Sequence, residues 1–165
     1  MRPVFLGIGG NLVPDGFATV RDGCAAAIDM LAETGFSDIR RSNWYETAPV
    51  PVSDQPWYVN AVIAAQTSLV PEDVLAALHH VEAQFGRTRS VRNAARVLDI
   101  DLLDFDGLIS DSSDLTLPHP RMHERAFVLL PLRDVAPGWR HPVLKMDIAA
   151  MMAAMPAGQD IRRAD

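Results

Sequence analysis

Apolar positions recur along this chain with two periods, one matching strands and one matching helices, and the switches between them outline its elements. Residues 4–9 read as a buried strand that Gly9-Gly10-Asn11 ends in a turn. Asp15 is placed to cap a helix running to about Thr34, with Phe17, Val20, Cys24, Ile28 and Leu31 on one face and Gly35 as the stop. A strand over 36–45 follows, and then 47–57, rich in proline and small polar residues, reads as a surface loop of a length that is often functional. Residues 58–67 alternate, with Tyr58, Asn60 and Val62 on one side and Val59, Ala61 and Ile63 on the other. Pro71, Glu72 and Asp73 open a helix whose stripe is Val74, Leu78, Val81 and Phe85 and whose stop is Gly86.

The next strand places Val97, Asp99, Asp101, Leu103 and Phe105 on one face, and Leu98, Ile100 and Leu102 on the other before it turns polar at Asp104 and Asp106. A turn at Asp106-Gly107 leads to a short return strand near Leu108-Ile109, and 115–125 is a loop with a proline on each side of His119. Residues 127–135 are helical despite Pro131, and a last helix starts at Asp147 and uses Ile148, Met151, Met152 and Met155. The final few residues are expected to be mobile. This order predicts an α+β fold, a ferredoxin-like doubled βαβ sandwich with a mostly antiparallel sheet and helices packed on it.

At 165 residues with 48% hydrophobic and 22% charged positions, one globular domain over 1–165 with a single core is expected. A formal charge of -6 argues against binding to nucleic acid or to an anionic membrane, both of which need a broad basic field. Against it, Arg87, Arg89, Arg92 and Arg96 fall within a stretch that contains no acid, a local patch suited to a small polyanion. The single Cys24 excludes an internal disulfide and a cysteine-rich zinc site, and reads as a buried small hydrophobe. The apolar start is interrupted too early for a signal peptide or a membrane span, so a cytoplasmic protein is expected. A monomer is the simplest expectation.

Asp99 and Asp101 share a strand face with apolar neighbours, so they need a counter-charge. Either a divalent metal or the nearby arginines could supply it; hard oxygen ligands favour magnesium, which shares its other positions with water and substrate phosphates. Gly7-Ile-Gly-Gly-Asn11 sits between a strand and a helix, but Leu12 replaces the fingerprint glycine and no Lys-Ser/Thr pair follows, so a tight turn needing positive φ is at least as good a reading as a phosphate loop. His119 and His123 have a four-residue spacing that could serve zinc, the minority reading beside the acid pair. Arg121 and Arg125 are either further anion ligands or solvated charges, and Tyr58 and Phe127 read by composition as core. Together the pieces indicate phosphoryl or nucleotidyl chemistry on small molecules.

Six blocks then resemble, in order, the signatures of one family: Gly9-Gly-Asn11, Tyr45-Glu-Thr-Ala-Pro49, Asp54-Gln-Pro-Trp-Tyr-Val-Asn60, Glu82 with Gly86-Arg87-x-Arg89, Arg96-Val-Leu-Asp-Ile-Asp101, and Leu117-Pro-His-Pro-Arg-Met-His-Glu-Arg-Ala-Phe127. That family is 6-hydroxymethyl-7,8-dihydropterin pyrophosphokinase. The resemblance implies transfer of pyrophosphate from ATP to the pterin, with two Mg2+ ions on Asp99 and Asp101 and with Arg87 and Arg96 joining them as catalytic residues. It implies that Asn60 hydrogen-bonds the pterin, that Tyr58 and Phe127 sandwich its ring, and that the backbone of Thr47, Ala48, Pro49 and Val50 completes the pocket. It places His79, Glu82, Arg87, Arg89, Arg92, Arg96, Leu98, Thr116, His119 and Arg125 around ATP, with the loop from Arg87 to Arg96 closing over it. This chain has His79 where a glutamine is common, Val97 where a threonine is common, and Arg92-Asn-Ala-Ala-Arg96 in place of Arg-Trp-Gly-Pro-Arg. Two other classes stay in view, a non-catalytic pterin or nucleotide sensor and a magnesium phosphohydrolase.

Overall fold

The computed structural model describes residues 1–49, 51–86 and 97–164. Arg2–Gly10 forms β1, Val20–Leu31 α1, Phe36–Arg41 β2, Trp44–Thr47 β3, Tyr58–Thr67 β4 and Pro71–Gln84 α2. Asp99–Phe105 forms β5, Ser110–Asp111 β6, Thr116–Leu117 β7, Ala126–Val135 α3, Ile148–Ala154 α4 and Ile161–Ala164 β8, with a 3-10 turn at Met122–Glu124. The main sheet is antiparallel in the order β5-β1-β4-β3-β8, with β2 also paired to β4, while β6 and β7 form a separate hairpin. Each βαβ half therefore encloses a strand of the other, the interleaving expected of a ferredoxin-like α+β sandwich.

The two faces of the sheet carry separate cores. Alternation in β4 sends Ala61, Ile63 and Ala65 to one face, where Cys24, Ala27 and Leu31 of α1 and Val74, Leu78 and Val81 of α2 bury them. Val62 and Leu103 point to the other face, against Met122, Leu129, Leu132, Ile148 and Met151. Pro131 inside α3 forgoes the bond its N–H would have made to the Phe127 carbonyl, and the buried Val128, Leu129 and Leu132 hold the helix to the sheet.

Several local expectations are corrected by the structure. α1 is capped by Thr19, whose Oγ1 accepts the Asp22 N–H at 3.0 Å, and not by Asp15; Phe17 lies before the helix, its ring stacked on Phe85 at 5.7 Å. The strand expected over 36–45 is two strands, because buried Ser42 accepts the Val62 N–H with its Oγ at 2.9 Å and interrupts the ladder. The return strand near Leu108-Ile109 is displaced to Ser110–Asp111, where it finds Thr116–Leu117 as partner. The C-terminal residues expected to be mobile instead pair as β8 with β3, Ile161 opposite Thr47 and Arg162 opposite Glu46.

β5 is corrected too. Leu6 pairs with Leu102 and Phe5 with Asp104, so Leu103 is an extra residue that bulges the strand. Beyond it the alternation reverses: Phe105 joins the α1/α2 core instead of sharing the face of Asp99 and Asp101, and Asp104 is buried instead of opening to water. Burial raises the Asp104 pKa, opposed by the Gly107 N–H that its Oδ2 accepts at 3.3 Å. The glycine pair is likewise no turn. β1 continues through Gly10, and neither Gly9 nor Gly10 has positive φ.

Candidate active site

The pairing register puts the predicted residues in rows across the α3 face of the sheet. Asp99 on β5 lies opposite Gly9 on β1, which lies opposite Asn60 on β4, which lies opposite Tyr45 on β3. One row along, Asp101 faces Gly7, and Gly7 faces Val62. Side chains at directly paired positions share a face, and the acid pair is about 7 Å apart along the strand, with Asn60 about 10 Å across from Asp99. β1 contributes no side chain to this face at positions 7 and 9, so its neighbours close over it, the Leu103 side chain against Gly7 and the Asn60 amide against Gly9.

Gly9 is required by closeness. A Cβ there would stand 2.5 Å from Asn60 Oδ1 and 2.8 Å from the Val59 carbonyl oxygen. Asn60 is held in turn by its Nδ2, which donates to Thr47 Oγ1 at 2.8 Å. Thr47 is paired directly with Tyr58 at the mouth of β3 and β4, which brings three of the predicted pterin residues into one patch. Phe127 enters from the first turn of α3, half-buried, with the Arg125 guanidinium 5.2 Å from its ring centre. Buried Asn11 ties the end of β1 to the loop after β3, its Nδ2 donating to Gln55 Oε1 at 3.1 Å and to the Pro56 carbonyl at 3.0 Å.

Beside this patch lies a cleft of about 440 Å³ lined by His79, Asp99, Asp101, Thr116, His119 and Arg125. Six of the residues assigned to ATP or metal by resemblance thus meet in one cavity. Leu75 and Asp114 also line it and carried no signal in the sequence. Glu82 and Leu98 do not line it. Leu98 is packed in the core, and Glu82, 1% exposed, accepts the Ile100 N–H with its Oε2 at 2.9 Å. β5 is an edge strand, so this bond satisfies an outward amide between the two acids and fixes the strand that carries them. Val50, Arg87, Arg89, Arg92 and Arg96 lie outside the described residues.

Charge in the cleft is divided sharply. Burial, reinforced by the Arg125 charge and only partly offset by Asp99, lowers the His119 pKa from 6.5 to about 4. His119 Nδ1 accepts the Arg121 N–H at 3.2 Å, so the neutral ring keeps its proton on Nε2 and can donate there. Burial also lowers the Arg125 pKa, while Asp101 and Asp99 oppose the shift and keep it a cation between the acids and Phe127. His123 is elsewhere, its ring 5.9 Å from that of His141, so the spacing that suggested a shared zinc site places the two histidines apart. Among the described residues no group of three or more His, Cys, Asp or Glu could hold a metal. Two carboxylates alone suit magnesium, which leaves its remaining positions to water and phosphate oxygens.

The α+β sandwich thus sets an acid pair and an arginine against one cleft of about 440 Å³. Residues 5–137 match the family described as 7,8-dihydro-6-hydroxymethylpterin-pyrophosphokinase (HPPK), and the chain belongs to that family. A 2-amino-4-hydroxy-6-hydroxymethyldihydropteridine pyrophosphokinase of Methylorubrum extorquens is 40% identical over 138 residues, 83% of this chain and 84% of that protein. The folic acid synthesis protein FOL1 of Dictyostelium discoideum is 40% identical over 117 residues, 71% of this chain; the chain spans only 18% of that longer protein. The fold is similar to that of a Plasmodium falciparum HPPK-DHPS chain solved with pteroate, at TM-score 0.66 and 14% identity, over 92% of this chain and 42% of that one.

Proposed function

We propose that this chain transfers the β,γ-pyrophosphoryl group of ATP to the hydroxymethyl oxygen of 6-hydroxymethyl-7,8-dihydropterin. The acceptor hydroxyl gives up its proton to solvent and its oxygen bonds to the β-phosphorus, the bond from that phosphorus to the α,β-bridging oxygen breaks, and AMP leaves with that oxygen. The observation that carries the reading is the placement of the Asp99/Asp101 pair and the Asn60–Thr47 pair on one sheet face, on either side of a strand with glycine at positions 7 and 9, in a chain of this family.

Asp99 and Asp101 would hold two magnesium ions, which when bound neutralise charge on the transferring phosphates. Asn60 hydrogen-bonds the pterin, Tyr58 and Phe127 cover its two faces, and the backbone of residues 47–50 closes its edge. His79, Thr116, His119 and Arg125 line the nucleotide cleft, where neutral His119 donates through Nε2 and Arg125 meets the phosphate charge. Arg87, Arg89, Arg92 and Arg96 complete the anion site, and Arg87 and Arg96 act on the transferring group. Glu82 serves this site by holding β5 through the bond its carboxylate accepts from the Ile100 N–H, and Leu98 serves it through backbone position. The enzyme works as a cytoplasmic monomer, a location that its single cysteine supports.

A phosphorus NMR time course with MgATP, with and without the dihydropterin, tests the reading. Pterin-dependent AMP and a new organic diphosphate are expected. Unchanged ATP would leave only a sensor, and ATP loss without pterin would make the protein a phosphohydrolase. Asp99→Ala and Asp101→Ala should each lower turnover on the order of 10³-fold, as loss of transition-state charge stabilisation does. Their melting temperatures should stay near wild type, since both acids are only half-buried.

A further inference from the structure

The chain segment leading into β8 touches both walls of the proposed pterin cleft, and it lies outside residues 5–137 of the family match. One wall is the start of α3. No side chain of its own caps that helix; instead Gln159 Oε1 accepts the Ala126 N–H at 2.9 Å. Gln159 Nε2 donates to the Glu124 carbonyl at 2.9 Å and to the Pro156 carbonyl at 3.0 Å. A single amide thus grips the backbone on both sides of Arg125 and holds the turn that carries Phe127.

The other wall is the end of β3 and the loop after it. The Ala48 N–H donates to the Asp160 carbonyl at 3.1 Å, continuing the β3–β8 pairing past Thr47 into the loop. Arg162 Nη2 reaches Glu46 Oε2 at 3.0 Å, and its guanidinium stands 4.7 Å from the centre of the Trp57 ring, next in sequence to Tyr58. Arg162 thereby joins the two ends of the loop from the sheet face opposite Thr47, Tyr58 and Asn60, behind the pterin patch.

A flat ring stacked on both faces needs walls about 7 Å apart, two contacts of about 3.5 Å, and a gap only 0.5–1 Å wider forfeits much of the attraction on one side. The sheet alone does not set that gap, because Phe127 comes from a helix and Tyr58 from a strand. We infer that residues 159–162 are a brace that fixes the width of the pterin cleft, with Gln159 and Arg162 as positioning residues for pterin binding. The inference rests on the pterin site proposed above.

Steady-state kinetics of the full chain test it, with Gln159→Ala, Arg162→Ala and the conservative Gln159→Glu and Arg162→Lys beside wild type. Each alanine variant should raise the pterin KM about five- to tenfold, the scale of one lost hydrogen bond. The ATP KM should stay within about twofold and kcat within about threefold, on the same scale. Gln159→Glu, which keeps the acceptor for Ala126, and Arg162→Lys, which keeps the charge on Glu46, should recover part of the loss. An unchanged pterin KM in both alanine variants overturns the brace, as does a parallel rise of both KM values with a lowered melting temperature. If Gln159→Ala does not fold, Arg162→Ala decides, because its side chain is largely exposed. Wild type without pterin-dependent AMP would overturn the function itself and the brace with it; an active wild type with unchanged variants overturns the brace alone.

Discussion

One added methyl group at Gly9 would collide with both the side chain and the backbone of its neighbours, Asn60 Oδ1 at 2.5 Å and the Val59 carbonyl at 2.8 Å. Gly9→Ala should therefore cost about 1–3 kcal/mol of stability through overpacking. It should also weaken pterin binding more than ATP binding, because Asn60 is the group displaced; thermal unfolding and the two KM values check this. His119 makes a pH prediction. Its folded pKa of about 4 lies below the ordinary 6.5. Above 6.5 neither state carries the proton and the group is silent; as pH falls from 6.5 toward 4 the unfolded chain takes up a proton that the folded chain refuses, and stability is lost. Urea unfolding at about pH 7 and about pH 5 should show wild type losing more stability than His119→Gln, which has no such proton to take up. A ring that stays neutral also explains how a histidine can sit beside Arg125 in the cleft.

At the level of elements, β5 is the strand on which the site depends, and its position comes from α2. Glu82 accepts the Ile100 N–H at 2.9 Å, between the two acids. Glu82→Ala leaves that amide without this acceptor and should cost about 1–3 kcal/mol, with faster hydrogen exchange at Ile100. Glu82→Gln keeps an acceptor and should lose much less. The resemblance implies a nucleotide role for Glu82, while the structure sets it on the inner stripe of α2 beside Val74, Leu78 and Val81, four residues on from Leu78. What spacing could not show was the amide it answers, since that bond joins residues 18 apart. The bulge at Leu103 was hidden for the same reason: alternation predicts a regular strand, and only pairing with β1 reveals the extra residue.

Among the described residues the main sheet carries a core on each face, and both cores should fail together. Leu78 lies in the α1/α2 core and Leu129 in the α3/α4 core, each almost fully buried. Leu78→Ala and Leu129→Ala should each cost about 2–5 kcal/mol, and unfolding should remain a single transition whether followed by tryptophan fluorescence or by circular dichroism. Separated transitions would mean that the cores fold independently. The sequence by itself determined β4 and α2 to the residue at their starts, the shared face of Asp99 and Asp101, and the start of α4 to within one residue of Asp147, whose Oδ1 caps it by accepting the Ala150 N–H at 2.8 Å. These depend on neighbours two to four positions away, which periodicity reads directly. Tertiary structure alone decided that Gly9 serves a close approach and no turn, that Phe105 and Asp104 exchange faces, that His119 and His123 part company, and that β8 closes the sheet. Each of those outcomes depends on contacts between residues far apart in the chain, for which a local pattern carries no record.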